Sequence, residues 1–265
     1  MMKRLYVKTL VFFIFMLMAV KSYAFTWEVE TLMTGSPVNT DYSSPDPLNS
    51  DVGSEWDASV FENGRTEILD DFGDTSLYMA FGAPLSQDAY GFYQHDTAGT
   101  EWVDGVNNST GWTIEISMRV THVEGVSNDC VLYILDGTYE AVVNFYGENA
   151  MDIKLKDSWI TDNTQTYIID AEIPPVYHII RVTGEGDAIN IYLENNPVPI
   201  ISETLDSSQA TKWLKFGDIQ PQPSPYASDS YWNYIKYTTE GAFPPEPEDV
   251  EAFQPRQALV HGGYL

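Results

Sequence analysis

The chain has 265 residues, 39 of them acidic and 13 basic, for a formal charge of −26. A field of that sign repels phosphate backbones, which excludes nucleic acid as a partner. Anionic membranes and polyanionic glycans are repelled too, unless a local basic patch intervenes.

Lys3, Arg4 and Lys8 precede an almost wholly apolar run from Thr9 to Val20. Lys21-Ser22-Tyr23-Ala24 follows, with small residues at the positions a signal peptidase reads. This is the order of a secretory signal peptide, and the run is shorter than the roughly 20 residues of a spanning helix. Cleavage after Ala24 is expected, placing residues 25–265 outside the cell or in a periplasm. No cysteine follows that point closely enough for a lipid anchor, and no later apolar stretch is long enough to span a bilayer. The released part carries nine basic against 39 acidic side chains. Its length suits one large all-β domain with a sizeable core. The single cysteine, Cys130, excludes an intramolecular disulfide; with Val131-Leu132-Tyr133 beside it, it reads as a buried small hydrophobe.

Residues 25–60, rich in Ser, Pro, Asp and Asn, read as an extended or looped lead-in. From Phe61 to Phe243 the pattern changes to short alternating runs between turn residues. Candidate strands are Ser76–Phe81, Thr113–Val120, Val131–Leu135, Tyr139–Phe145, Asp152–Leu155, Leu214–Phe216 and Tyr231–Thr238. In Thr113–Val120 the residues Ile114, Ile116, Met118 and Val120 share one face, while Thr113, Glu115, Ser117 and Arg119 share the other. That period of two predicts a half-buried strand. Val176–Thr183 and Ala188–Glu194 flank Gly184-Glu185-Gly186-Asp187, a hairpin with a glycine-rich turn, and Asn195-Asn196-Pro197 supplies the next turn. No segment carries a helical period. Many short strands separated by turn signals predict a sandwich or a barrel. Residues 244–265 begin with Pro244-Pro245-Glu246-Pro247-Glu248-Asp249 and read as a solvated tail.

Three stretches carry a resemblance to a known superfamily. They are Gly111-Trp112-Thr113-Ile114-Glu115-Ile116-Ser117-Met118-Arg119-Val120; Tyr177-His178-Ile179-Ile180-Arg181-Val182 with Ile189-Asn190-Ile191-Tyr192-Leu193-Glu194-Asn195; and Phe216-Gly217-Asp218 with Tyr231-Trp232-Asn233-Tyr234-Ile235-Lys236-Tyr237. In order and spacing the chain resembles the concanavalin A-like lectin/glucanase superfamily, in particular bacterial laminin G-like (LamG-like) domains. The resemblance spans residues 65–243 and implies a two-sheet antiparallel jelly-roll β-sandwich over 61–243. It also implies structural Ca²⁺ where an Asp opens the closing strand. Here Asn233 stands at that position, with Asp70, Asp71 and Asp74 as partners from the first strand; an amide oxygen is a weaker ligand for this hard cation.

The chemistry of catalysis is not legible. Glucanases on this fold align carboxylates as E-x-D-x-x-E, so that the acid and the nucleophile share one groove. Glu185-Gly186-Asp187 lacks the third acid, and Glu246, Glu248 and Glu251 fall in the proline-rich tail. Arg65-Thr66-Glu67 resembles the start of a strand in jelly-roll alginate lyases, but Gln94-His95 lacks the spacing their Gln-x-His strand needs. His178 falls on a strand position that suits a hydrogen-bonded structural histidine. Aromatic residues make up 14% of the chain, and flat rings stack on the apolar faces of sugars. Trp112, Tyr133, Tyr146, Trp159 and Trp232 are the candidate platforms. The resemblance therefore implies a non-catalytic binding module for glycan or an extracellular surface partner. An adhesion protein with a protein partner, and a jelly-roll lyase or hydrolase, are the alternatives. Asn107-Asn108-Ser109-Thr110 also holds two overlapping glycosylation sequons.

Overall fold

The computed structural model describes residues 27, 29–32, 57–61, 65–71, 74–81, 89–94, 101–123, 130–146, 151–156, 164–169, 176–206, 208–217 and 228–246. Two antiparallel sheets pack face to face as a jelly-roll β-sandwich. The first sheet runs β13 (Ile201–Thr204), β12 (Ala188–Leu193), β11 (His178–Glu185), β6 (Trp112–Val123), β15 (Ser228–Thr238), β4 (Asp74–Phe81) and β3 (Arg65–Asp71). β1 (Val29–Leu32) joins it by pairing with β15. The second runs β10 (Thr164–Ile169), β9 (Met151–Lys156), β8 (Glu140–Tyr146), β7 (Val131–Asp136), β14 (Lys212–Gly217), β5 (Ala89–Gln94) and β2 (Asp57–Phe61). One short helix, α1 (Glu101–Gly105), lies among the described residues. None of those residues forms a helix long and apolar enough to cross a membrane.

The predicted stripes face each other across the core. Ile114, Ile116, Met118 and Val120 of β6, with Ile189 and Ile191 of β12, share the buried cluster with Leu132, Ile134, Val143, Phe145, Leu214 and Phe216 of the second sheet. Burial of this apolar surface is the main force holding the sheets together. Cys130 lies in the same cluster.

At one end Trp102 of α1 meets Trp112 edge-on, with ring centroids 5.8 Å apart, and meets Tyr237 at 5.4 Å. Its indole N–H donates to the Leu135 carbonyl at 3.2 Å. Gly184 of β11 lies directly under Trp112. A Cβ there would sit 2.3 Å from Trp112 Cζ2, so only glycine lets this strand pass beneath the indole. The hairpin turn itself falls at Gly186-Asp187, with Gly186 at φ +61°.

β6 departs from its expected half-buried state. Its second stripe, Thr113, Glu115, Ser117 and Arg119, is also buried, with 0%, 3%, 5% and 5% exposure. Groups of opposite charge on neighbouring strands neutralise one another there, so the polar row is covered by its own partners instead of by water.

Candidate functional site

The two outward faces differ in how completely their polar groups are satisfied. On the first sheet, register sets Glu115 of β6 beside Arg181 of β11 and Lys236 of β15. Arg181 Nε donates to Glu115 Oε2 at 2.8 Å, Lys236 Nζ lies 2.9 Å from Oε1, and the Tyr234 hydroxyl donates to Oε1 at 3.0 Å. Burial pushes this carboxyl up, but Arg181 and Lys236 outweigh burial and hold it below the ordinary glutamate value. Burial and the adjacent Glu115 charge push the Tyr234 phenol upward. The Trp27 ring lies 5.5 Å from the Arg181 guanidinium and 4.8 Å from Lys236 Nζ.

The same face continues through Arg119, whose guanidinium sits 3.8 Å from the Tyr231 ring centroid and 5.5 Å from that of Tyr177. Ser76 Oγ donates to Asn233 Oδ1 and accepts from the Tyr177 hydroxyl, each at 2.6 Å. Asn233 Nδ2 donates to Ser117 Oγ at 3.4 Å. His178, buried on β11, bonds through Nδ1 to Glu194 Oε1 at 2.8 Å. Every member of this network has a partner, which is what a structural lock requires.

The second sheet is different. Val131, Tyr133 and Leu135 of β7 point away from the core, as do Glu140, Val142 and Asn144 of β8 and Trp213 and Lys215 of β14. Asn144 is 0% exposed, yet neither its amide nitrogen nor its amide oxygen has a hydrogen-bond partner among the described residues. The Trp213 indole N–H is likewise buried and unpartnered among them. Each such group costs about 1–3 kcal/mol, so this covered face carries polar groups that the described residues leave unsatisfied.

Between them lies a row set by register, Lys215 beside Tyr133, then Val142, then Lys156. Tyr133 donates its hydroxyl to Glu140 Oε1 at 2.9 Å and packs edge-on to Trp213, with centroids 6.5 Å apart. Lys215 Nζ sits 3.9 Å from the Trp213 ring centroid. Burial holds this ammonium below the ordinary lysine value, while burial and the Glu140 charge push the Tyr133 phenol up. Tyr133 therefore keeps its proton and donates it to Glu140. Trp213 lies in the register row of Glu140, four residues along β8 from Asn144. At about 3.3 Å per residue, the unsatisfied groups are spread over roughly 13 Å of strand, an elongated footprint.

The residues singled out from sequence are scattered across the molecule. Trp112 and Trp232 are corrected: their exposures of 1% and 0% leave no ring face for a ligand. Trp112 donates to Asp136 Oδ2 at 3.2 Å, and Trp232 packs against Phe216 and Phe145 inside the core. Tyr133 lies on the second sheet's outward face as described. Tyr146 ends β8, with its side chain outside the described residues, and Trp159 lies outside them altogether, as do residues 1–24.

Asp70, Asp71 and Asp74 sit at the β3–β4 turn, Asp71 facing Asp74 in register; their side chains are also outside the described set. The Asn233 amide oxygen is already occupied by Ser76, and its neighbours are hydroxyls and a phenol. That set does not fit Ca²⁺, which takes six to eight oxygens led by carboxylates and carbonyls. Among the described residues no three His, Cys, Asp or Glu side chains gather as metal ligands. Asn144, Trp213 and Lys215 were not picked out from sequence. The available signal was an Asn on the outward position of Ala141-Val142-Val143-Asn144-Phe145, a strand otherwise apolar on both faces.

No protein-family model matches the chain, and no curated protein matches it. Solved structures do. A carbohydrate esterase from the Shiga toxin-encoding bacteriophage phi24B is 14% identical at a TM-score of 0.51, over 80% of this chain and 97% of its own. A β-1,3-glucanase from Mycobacterium marinum is 11% identical at 0.45, over 82% of this chain and 100% of its own. The alginate lyase A1-II′, of polysaccharide lyase family 7, is 10% identical at 0.45, over 66% and 83%. At such identities the likeness speaks to fold alone, and function has to be argued from the site. The chain thus shares its fold with the phage carbohydrate esterase.

Proposed function

We propose that this protein is an exported LamG-like module that binds a glycan without turnover, through the outward face of its second sheet. The observation that carries the reading is the pair of partly exposed rings on that face, Tyr133 and Trp213, packed edge-on, with the Trp213 indole N–H lacking a partner among the described residues. An indole offers one donor, a phenol a hydroxyl, and aromatic rings a flat apolar surface. A sugar presents hydroxyls and an apolar face to match.

The face argues against turnover by its own geometry. A retaining glycosidase needs two carboxyls about 5–5.5 Å apart. Glu140 is bonded to Tyr133. Asp152 pairs with Tyr146, six residues further along β8, which is about 20 Å away at 3.3 Å per residue. Calcium at the β3–β4 aspartates belongs to the same reading as a stabilising ion, without Asn233 as a ligand.

A glycan array probed with the full chain, alongside Trp213→Ala and Tyr133→Ala, tests the proposal. Binding that falls at least tenfold in both variants, with circular dichroism unchanged, supports it. Silence across the array, or release of new oligosaccharide ends from any bound polymer, overturns it.

A further inference from the structure

Five strands have one side unpaired among the described residues: β13, β3 and β1 in the first sheet, β10 and β2 in the second. An unpaired edge is a template for a further strand, and proteins blunt such edges with charge. Four of the five are blunted in that way. Glu203 stands on β13, Glu67, Asp70 and Asp71 on β3, Glu30 on β1 and Asp57 on β2. β10, Thr164-Gln165-Thr166-Tyr167-Ile168-Ile169, holds no charged residue and no proline. In a chain of formal charge −26 it is the one described edge without an acid.

The strand is held firmly on one side and left open on the other. β9 pairs along its whole length, from Thr164 beside Lys156 to Ile169 beside Met151. Ile169 turns into the core cluster, and Tyr167 packs against it. Gln165, Thr166 and Ile168 are exposed. Ile168 stands 64% exposed, one of three large apolar side chains so placed among the described residues. Threonine, tyrosine and isoleucine are also the residue types that strand pairing favours.

We propose that β10 is the contact edge of a homodimer, in which a second copy adds its own β10 in antiparallel pairing about a two-fold axis. Charge identifies the occupant. Two copies of so acidic a chain repel one another wherever acids meet, and like charges set directly opposite destabilise a strand pair. Pairing β10 with itself opposes only Thr, Gln, Tyr and Ile. With the axis at Thr166, Ile168 faces Thr164 of the second copy; with the axis at Tyr167, it faces Thr166. In both registers the exposed isoleucine gains a neighbour on its free side. The contact is isologous, so it closes on itself at two copies. Its axis stands perpendicular to the sheet, which lets the two seven-stranded sheets run on as one, with both outward faces on the same side. The dimer is independent of the glycan reading, and either holds without the other.

Sedimentation velocity of the full chain over a concentration series, at low and high NaCl, tests this. The expected result is a reversible monomer–dimer equilibrium that tightens severalfold as salt rises, because screening weakens the repulsion between two acidic copies. Ile168→Lys charges the edge and should weaken the dimer at least tenfold, with the melting temperature of the monomer unchanged. Val198→Lys, at an exposed apolar residue between β12 and β13, should leave the dimer intact. Hydrogen exchange of the amides of residues 164–169 should slow as concentration rises. A monomer at every concentration and salt, a dimer indifferent to Ile168→Lys, or a ladder of species beyond the dimer overturns the inference. A monomer whose β10 amides gain protection only when another protein is added overturns it too, since the edge then serves a different strand.

Discussion

Glu115→Ala removes the anion around which Arg181, Lys236 and Tyr234 are assembled. The carboxylate is 3% exposed, so water cannot take its place without opening the sheet face. Removing one partner of a buried ion pair costs about 3–5 kcal/mol, because the remaining charge is left uncompensated. For a domain of this size about 2–4 °C accompanies each kcal/mol, so the melting temperature should fall by roughly 6–20 °C. Urea unfolding measures the loss directly, with the slope m unchanged if the variant keeps the native fold. Arg181→Ala should cost a similar amount, and the double variant less than the sum of the two, since the partners are coupled.

The pH dependence has a definite sign. The folded carboxyl lies below its ordinary value of 4.5, so its contribution is fully present above that value and disappears as pH falls through the folded one. Glu115→Gln should therefore flatten stability against pH below about 4.5. A loss under about 1 kcal/mol, the range of exposed pairs, would refute the description of the network as buried and closed.

Asn144→Leu should raise stability by about 1 kcal/mol or more, because it removes a buried unsatisfied amide at similar volume; urea unfolding measures the gain. Gly184→Ala sets a methyl against Trp112 and should destabilise by about 1–3 kcal/mol or prevent folding, seen as a lowered melting point or insoluble protein. EDTA should lower the melting temperature if the β3–β4 aspartates hold calcium, and superimposable curves would remove calcium from the proposed function. In a host that modifies sequons, the exposed Asn107 should carry glycan in preference to Asn108. The Asn108 amide already donates to Asp136 Oδ2 at 3.1 Å, and peptide mass spectrometry distinguishes the two sites.

The strands legible in the sequence were those whose alternation the core itself enforces. Ile114 and Ile189 read out their partners because burial selects every second residue. β1 and β2 carried no such mark: Val-Glu-Thr-Leu and Asp-Ala-Ser-Val-Phe become strands by pairing with β15 and β5, a tertiary cause that local composition does not record. The aromatic platforms misled for a related reason. An indole suits a core as well as a sugar, and Trp112 and Trp232 were read without knowing which face they took. The orphaned Asn144 amide is an exception to pattern, legible only once both faces of β8 are known to be covered. Trp213 stood one residue outside the strand read from Leu214–Phe216.

β15 lies between β6 along one side and, on the other, β4 from Ser228 to Trp232 and β1 from Tyr234 to Tyr237. The last of the described strands is thus the seam that joins the two halves of its sheet. Until it pairs, β6 and β4 each present an open edge, so this sheet closes only when β15 docks between them.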